Sequence, residues 1–84
     1  MKIIFSENAW EDYLYWQKTD KNVLKRINKL IMETKREPFA GIGKPEPLKH
    51  SLTGYWSRRI NEEDRIIYKA KDDALLIAQL RYLY

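Results

Sequence analysis

Arg65-Ile66-Ile67-Tyr68-Lys69-Ala70-Lys71-Asp72-Asp73-Ala74-Leu75-Leu76-Ile77-Ala78-Gln79-Leu80-Arg81-Tyr82 is two β-rich runs parted by a polar turn. β-Branched and aromatic side chains favour extended backbone, and Lys71-Asp72-Asp73 supplies turn chemistry between them. The pattern predicts a hairpin with strands at 65–70 and from 74 to about 82. Residues 52–60 add a third antiparallel strand before it, across a turn at Asn61-Glu62-Glu63, and complete a meander. Side chains along a strand alternate between faces. Ile66, Tyr68, Leu76, Ala78 and Leu80 then form the covered face, and Arg65, Ile67, Gln79 and Arg81 the open one. Arg59, Arg65 and Arg81 are expected to converge on that open face, provided the connection at Asn61 is of odd length.

Upstream of the meander, Lys2-Ile3-Ile4-Phe5 reads as a short strand. Ser6 is a helix N-cap with Glu7 in the first turn, where an acid suits the helix dipole. Trp10, Tyr13, Leu14 and Trp16 recur at helical spacing up to about Lys18. Thr19-Asp20 caps a second helix whose apolar stripe is Val23, Leu24, Ile27, Leu30 and Ile31. Pro38 ends it, because proline cannot donate to the helical ladder and disfavours helix in the residue before it. The expected architecture is α+β: an N-terminal strand, two helices, then a three-stranded antiparallel meander, with both helices on one sheet face.

With 84 residues the chain is a single domain, 1–84. It contains no cysteine, so neither a disulfide nor a thiolate metal site supports the core. That composition suits a reducing, cytoplasmic setting. The N-terminal apolar run is too short for a signal peptide or a membrane span. Sixteen Lys and Arg against 12 Asp and Glu give a net charge of +4, a balance that favours polyanionic partners. Between residues 44 and 59, Lys44, Lys49, Arg58 and Arg59 face the single acid Glu46.

All three prolines and two of the three glycines fall in residues 38–51, a long loop for so small a domain. Glu46 stands between Pro45 and Pro47, which stiffen the backbone around its carboxylate. One histidine, no cysteine and no clustered carboxylates leave no metal motif, and no cofactor is expected. Gly41-Ile42-Gly43 lacks the strand–helix context of a phosphate loop. What remains is a carboxylate in a rigid loop beside guanidinium groups on a sheet. RNA cleavage without a metal needs a base for the ribose 2′-hydroxyl, cations for the charged phosphorane and an acid for the departing 5′-oxygen. Glu46 suits the base; Arg65 and Arg59 suit the phosphate, whose oxygens a guanidinium fork matches in pairs. Lys49 adds positive charge nearby. The plainer alternative is that Glu46 pairs with Lys49 in a solvated loop while the arginines merely line a surface. A terminal Tyr84 suggests docking against the sheet or a ligand, since chain ends otherwise fray.

Gly43-Lys44-Pro45-Glu46-Pro47-Leu48-Lys49 and Leu52-Thr53-Gly54-Tyr55-Trp56-Ser57-Arg58-Arg59-Ile60 resemble the YoeB toxins of the RelE/ParE superfamily. Asp12-Tyr13-Leu14-Tyr15-Trp16, Arg65-Ile66-Ile67-Tyr68 and the closing Tyr82-Leu83-Tyr84 are similar to the same family, over the whole chain. The resemblance implies the RelE-like fold already read from the pattern. It also implies a toxin that cleaves mRNA in the ribosomal A site, without metal, leaving a 2′,3′-cyclic phosphate. The implied partners are the bacterial ribosome and mRNA, a YefM (Phd-like) antitoxin, operator DNA bound as the toxin–antitoxin complex, and a second copy in a homodimer. Carried onto this chain, the general base is Glu46, the phosphate-stabilising residues are Arg65 and Arg59, and Lys49 and Tyr84 assist. Lys44, Arg58 and Arg81 are expected to bind RNA.

The chain departs from the family at position 83, where the general-acid histidine is replaced by Leu83. Leucine carries no proton, and general acid catalysis is typically worth about 10²–10⁴-fold. If Leu83 is an introduced change, it disables the site. If it is natural, either Tyr84, Lys49 or Arg81 compensates, or the chain is an inactive module that binds ribosome and antitoxin and takes part in operon autorepression. A ParE-like gyrase poison is a third reading, disfavoured by the Glu46 loop.

Overall fold

The hairpin expected after residue 65 forms the middle of a five-stranded mixed sheet. The computed structural model describes residues 1–83. In chain order the elements are β1 (Lys2–Phe5), α1 (Glu7–Thr19), α2 (Lys21–Arg36), β2 (Glu46–Pro47), β3 (Trp56–Arg59), β4 (Arg65–Lys71) and β5 (Ala74–Gln79), with a single 3₁₀ turn at His50–Leu52. The strand order is β1-β5-β4-β3-β2; β1 runs parallel to β5, and every other neighbouring pair is antiparallel. Lys71 pairs with Ala74, so the β4–β5 loop is Asp72-Asp73. Both have positive φ, 51° and 59°, as the hairpin turn that matches strand twist requires.

Capping follows the sequence. Ser6 accepts from the Ala9 N–H at 3.0 Å, and Asp20 Oδ1 accepts from Asn22 and Val23. α2 stops at Arg36, and Glu37, before Pro38, is extended. Both helices cover one sheet face. Their Ala9, Trp16, Ile27, Leu30 and Ile31 pack with Ile60, Ile66, Tyr68, Leu75, Ile77 and Leu80.

Three expectations need correction. The strand placed at 52–60 is confined to Trp56–Arg59, because Leu52 belongs to the 3₁₀ turn and Gly54 takes φ +99°. The long loop is not wholly irregular: Glu46 and Pro47 pair with Ser57 and Trp56, which adds a fifth strand at the sheet edge. On β5 the covered face is Leu75 and Ile77, not Leu76 and Ala78. Register runs Tyr68–Ile77 and then Ile67–Gln79, so Ala78 is an extra residue. Such a bulge reverses the alternation, which returns Leu80 to the core and puts Gln79 on the open face.

Candidate functional site

Arg59 and Arg65 are directly opposed across β3 and β4, so their side chains leave the same, uncovered face. The five-residue connection between them is odd, which satisfies the parity condition. It is also tightly built. Asn61 Oδ1 accepts from the N–H groups of Glu63 and Asp64 at 2.9 and 2.7 Å, and the Asp64 carbonyl accepts from Ile60 at 3.0 Å. Arg65 Nη1 donates to the carbonyls of Asn61 (2.7 Å) and Asp64 (3.1 Å), which fixes its guanidinium over the turn.

Glu46 pairs with Ser57, two residues before Arg59 on β3, and so shares the face of the two arginines. One step along a strand face is about 6.6–6.8 Å. The carboxylate row and the guanidinium row are therefore neighbours on one surface. Glu46 is exposed, whereas Ser57 and Ile67 beside it are buried and form a rigid floor. The Arg59 N–H donates to the Gly43 carbonyl at 2.7 Å, which brings exposed Lys44 to the same end of β3. Residues 46–52 line an open hollow of about 470 Å³ that holds Lys49 and His50 together with Glu46.

The C-terminal turn reaches this face through Gln79. Its Nε2 donates to the carbonyls of Arg81 at 2.7 Å and Leu83 at 3.3 Å. Tyr82 N–H donates to Asp64 Oδ1 at 2.6 Å and Arg65 N–H to the Tyr82 carbonyl at 3.0 Å. Leu80 N–H donates to Asp12 Oδ2 at 3.0 Å, and Trp16 Nε1 donates to the Leu80 carbonyl at 2.8 Å. Leu83, in the turn that Gln79 holds, is 57% exposed, an apolar side chain turned to solvent. Tyr84 lies outside the described residues.

Two of the arginines expected on the RNA surface are elsewhere. Arg58 is 0% exposed. The alternation that exposes Arg59 turns Arg58 inward, opposite Ile66. Its guanidinium donates to the carbonyls of Ile42 (3.0 Å), Ala40 (2.9 Å) and Glu37, and its Nε to the Tyr68 hydroxyl at 3.1 Å. The Tyr68 hydroxyl in turn donates to the Pro38 carbonyl at 2.6 Å, and burial pushes its ionisation above the ordinary phenol range. Arg58 is thus an internal pin for residues 37–42, the segment leading to Glu46. Arg81 lies 3.5 Å from the centroid of the Tyr15 ring on α1 and 4.6 Å from that of Tyr82, so it stacks on α1 and does not join Arg59 and Arg65.

Sequence reasoning passed over Gln79, Asp64 and Asp12 as positioning groups. The only signal was polar residues in otherwise apolar contexts, such as Gln79 at the end of Ala-Leu-Leu-Ile-Ala-Gln.

A model described as the YoeB-like toxin of bacterial type II toxin–antitoxin systems matches residues 5–84. Toxin YoeB of Escherichia coli K12 is 63% identical over 84 residues, covering 100% of both chains. A YoeB/ParE toxin from Agrobacterium tumefaciens has 46% identity and a TM-score of 0.96, with 100% of both chains covered. Two structures from Staphylococcus aureus, a YoeB dimer and a heterotetrameric YoeB–YefM complex, have 48% identity and TM-scores of 0.93 and 0.92, covering 100% of this chain and 98% of theirs. The matched segment includes every strand and turn that builds the Glu46–Arg59–Arg65 face, and this chain therefore belongs to the YoeB toxin family of type II toxin–antitoxin systems.

Proposed function

We propose that this toxin is an endoribonuclease that cuts mRNA in the ribosomal A site, and that Leu83 weakens its final proton transfer. The observation that carries the reading is the shared face of Glu46, Arg59 and Arg65. In this mechanism Glu46 takes the proton from a ribose 2′-hydroxyl. The freed oxygen attacks the adjacent phosphorus, and Arg59 and Arg65 stabilise the added negative charge on its oxygens. Lys49, in the hollow that Glu46 lines, adds positive charge. The bond from phosphorus to the 5′-oxygen then breaks, leaving a 2′,3′-cyclic phosphate and an alkoxide that must be protonated. Leu83 has no proton to give, so the donor is water or a neighbouring group, with Tyr84 and Lys49 as candidates. The partners that follow are the ribosome and mRNA, a YefM-type antitoxin, operator DNA in complex with that antitoxin, and a second copy of the chain. The site of action is the cytoplasm.

A second reading is favoured by Leu83 itself: a module that occupies ribosome and antitoxin without cutting, and represses its own operon. Primer extension on an mRNA translated in vitro separates the two. Leu83→His is expected to raise cleavage by about 10²-fold or more, and Glu46→Gln to abolish it in either background. Cleavage unchanged by Glu46→Gln refutes the assignment of the base. No cleavage even with histidine at position 83 favours the binding module.

A further inference from the structure

The acids of this chain are distributed unevenly. Among the described residues, β1, β3, β4 and β5 contain no aspartate or glutamate, and Glu46 on β2 is the only acid in a strand. The same strands carry Lys2, Arg58, Arg59, Arg65, Lys69 and Lys71, of which only Arg58 is turned inward. β4 sets the remaining cations in line. Arg65, Ile67, Lys69 and Lys71 alternate onto the open face, three steps of about 6.6–6.8 Å or roughly 20 Å from first to last. Arg59 stands opposite Arg65 at one end. At the other end Lys71 pairs with Ala74, and Ala74 with Lys2. Between them, Lys69 Nζ lies 5.3 Å from the centroid of the Tyr55 ring, and Leu76 and Ile4 continue the same row across β5 and β1. Tyr55, Leu76, Ile4 and Ala78 border a shallow hollow of about 180 Å³.

We propose that this open face is a track for single-stranded RNA, which binds the nucleotides flanking the cleaved bond along β4, with Tyr55 as a stacking platform and Lys69 and Lys71 as phosphate-binding cations. The inference rests on the ribonuclease reading, whose site lies at the Arg59–Arg65 end of the track. Cations stepped along a groove with an aromatic side chain among them are what a backbone-tracking, base-stacking surface requires. An acidic protein segment suits the surface less well. It would meet the Glu46 carboxylate at the site end and would leave the Tyr55 ring without a flat partner.

The test is the affinity of the full chain for non-cleavable 2′-O-methyl RNA of three and eight nucleotides, titrated at several salt concentrations. The eight-mer is expected to bind the more tightly. Tyr55→Ala is expected to weaken that binding roughly tenfold, with Tyr55→Phe close to the unaltered chain. Lys69→Ala with Lys71→Ala is expected to flatten the logarithmic salt slope by about 1.4, at about 0.7 for each phosphate no longer neutralised. The trimer is expected to be little affected by either. Weakening by Arg59→Ala alone, with the Tyr55 and lysine variants unchanged, overturns the track and leaves the ribonuclease site standing. Indifference to all of these substitutions, or no binding by the unaltered chain, overturns the track, whereas the ribonuclease reading stands or falls separately by primer extension on translated mRNA. Loss of antitoxin affinity with RNA affinity retained overturns the track in favour of a protein segment.

Discussion

Arg58 buries a full positive charge with neutral acceptors around it: three backbone carbonyls and a phenol. Hydrogen bonds to a charged donor contribute about 1.5–3 kcal/mol each, and losing the donor strands buried carbonyls. Arg58→Lys, which reaches fewer of these acceptors, is expected to cost about 3 kcal/mol or more in urea denaturation. Tyr68→Phe is expected to cost about 1–2 kcal/mol, since it leaves Arg58 Nε and the Pro38 carbonyl without this partner. The two should couple by more than about 0.5 kcal/mol in a double-mutant cycle, because they share one network. Strict additivity would mean that residues 37–42 are held by something else. At this scale the sequence was half legible. Arg58-Arg59 reads as two surface charges by composition, and only the alternation along β3 separates a pin from a ligand-facing group.

Between elements, the 37–46 segment depends on one close approach. Gly43 has φ +81°, and a β-carbon there would meet Leu30 Cδ2 at 3.0 Å, Arg58 Cβ at 3.1 Å and the Arg59 carbonyl at 3.3 Å. The left-handed backbone and the lack of space both oppose a side chain. Gly43→Ala is expected to destabilise the fold by about 2 kcal/mol and to lower cleavage more than stability alone explains, since the displaced segment carries Glu46. Equal thermal midpoints for the two proteins would refute the close packing. Helices, caps and the β4–β5 hairpin were readable because local chemistry sets them: Ser6, Asp20 and Asp72-Asp73 each act within a few residues. β2, the parallel β1–β5 pairing and the Ala78 bulge were not, because each is a choice of partner far along the chain. The shared face of Arg59 and Arg65 was legible only on the condition of an odd-length connection, which the pairing of the two residues meets, whereas the placement of Arg81 needed the Tyr15 ring on α1.

Across the whole molecule, the C-terminal turn is tied to both layers. Asp12 on α1 holds the Leu80 N–H, and Asp64 in the β3–β4 turn holds the Tyr82 N–H, with Arg81 stacked between Tyr15 and Tyr82. Partial burial raises the Asp12 carboxyl above 3.8; the Leu80 N–H and the Arg81 charge oppose that rise, and the Asp64 charge adds to it. The folded state therefore holds this proton more tightly than the unfolded chain does. Stability contributed by Asp12 is greatest at low pH and falls as pH rises above 3.8 through the raised value. Asp12→Asn keeps an oxygen to accept from Leu80 and removes the titration. In chemical denaturation at a series of pH values, the variant should gain on the unaltered chain as pH rises through that window. A relative loss over the same range would mean that the Leu80 N–H and the Arg81 charge together outweigh desolvation. The same carboxylate would then be a net anchor for the turn that carries Leu83, and Asp12→Asn would loosen that turn at neutral pH.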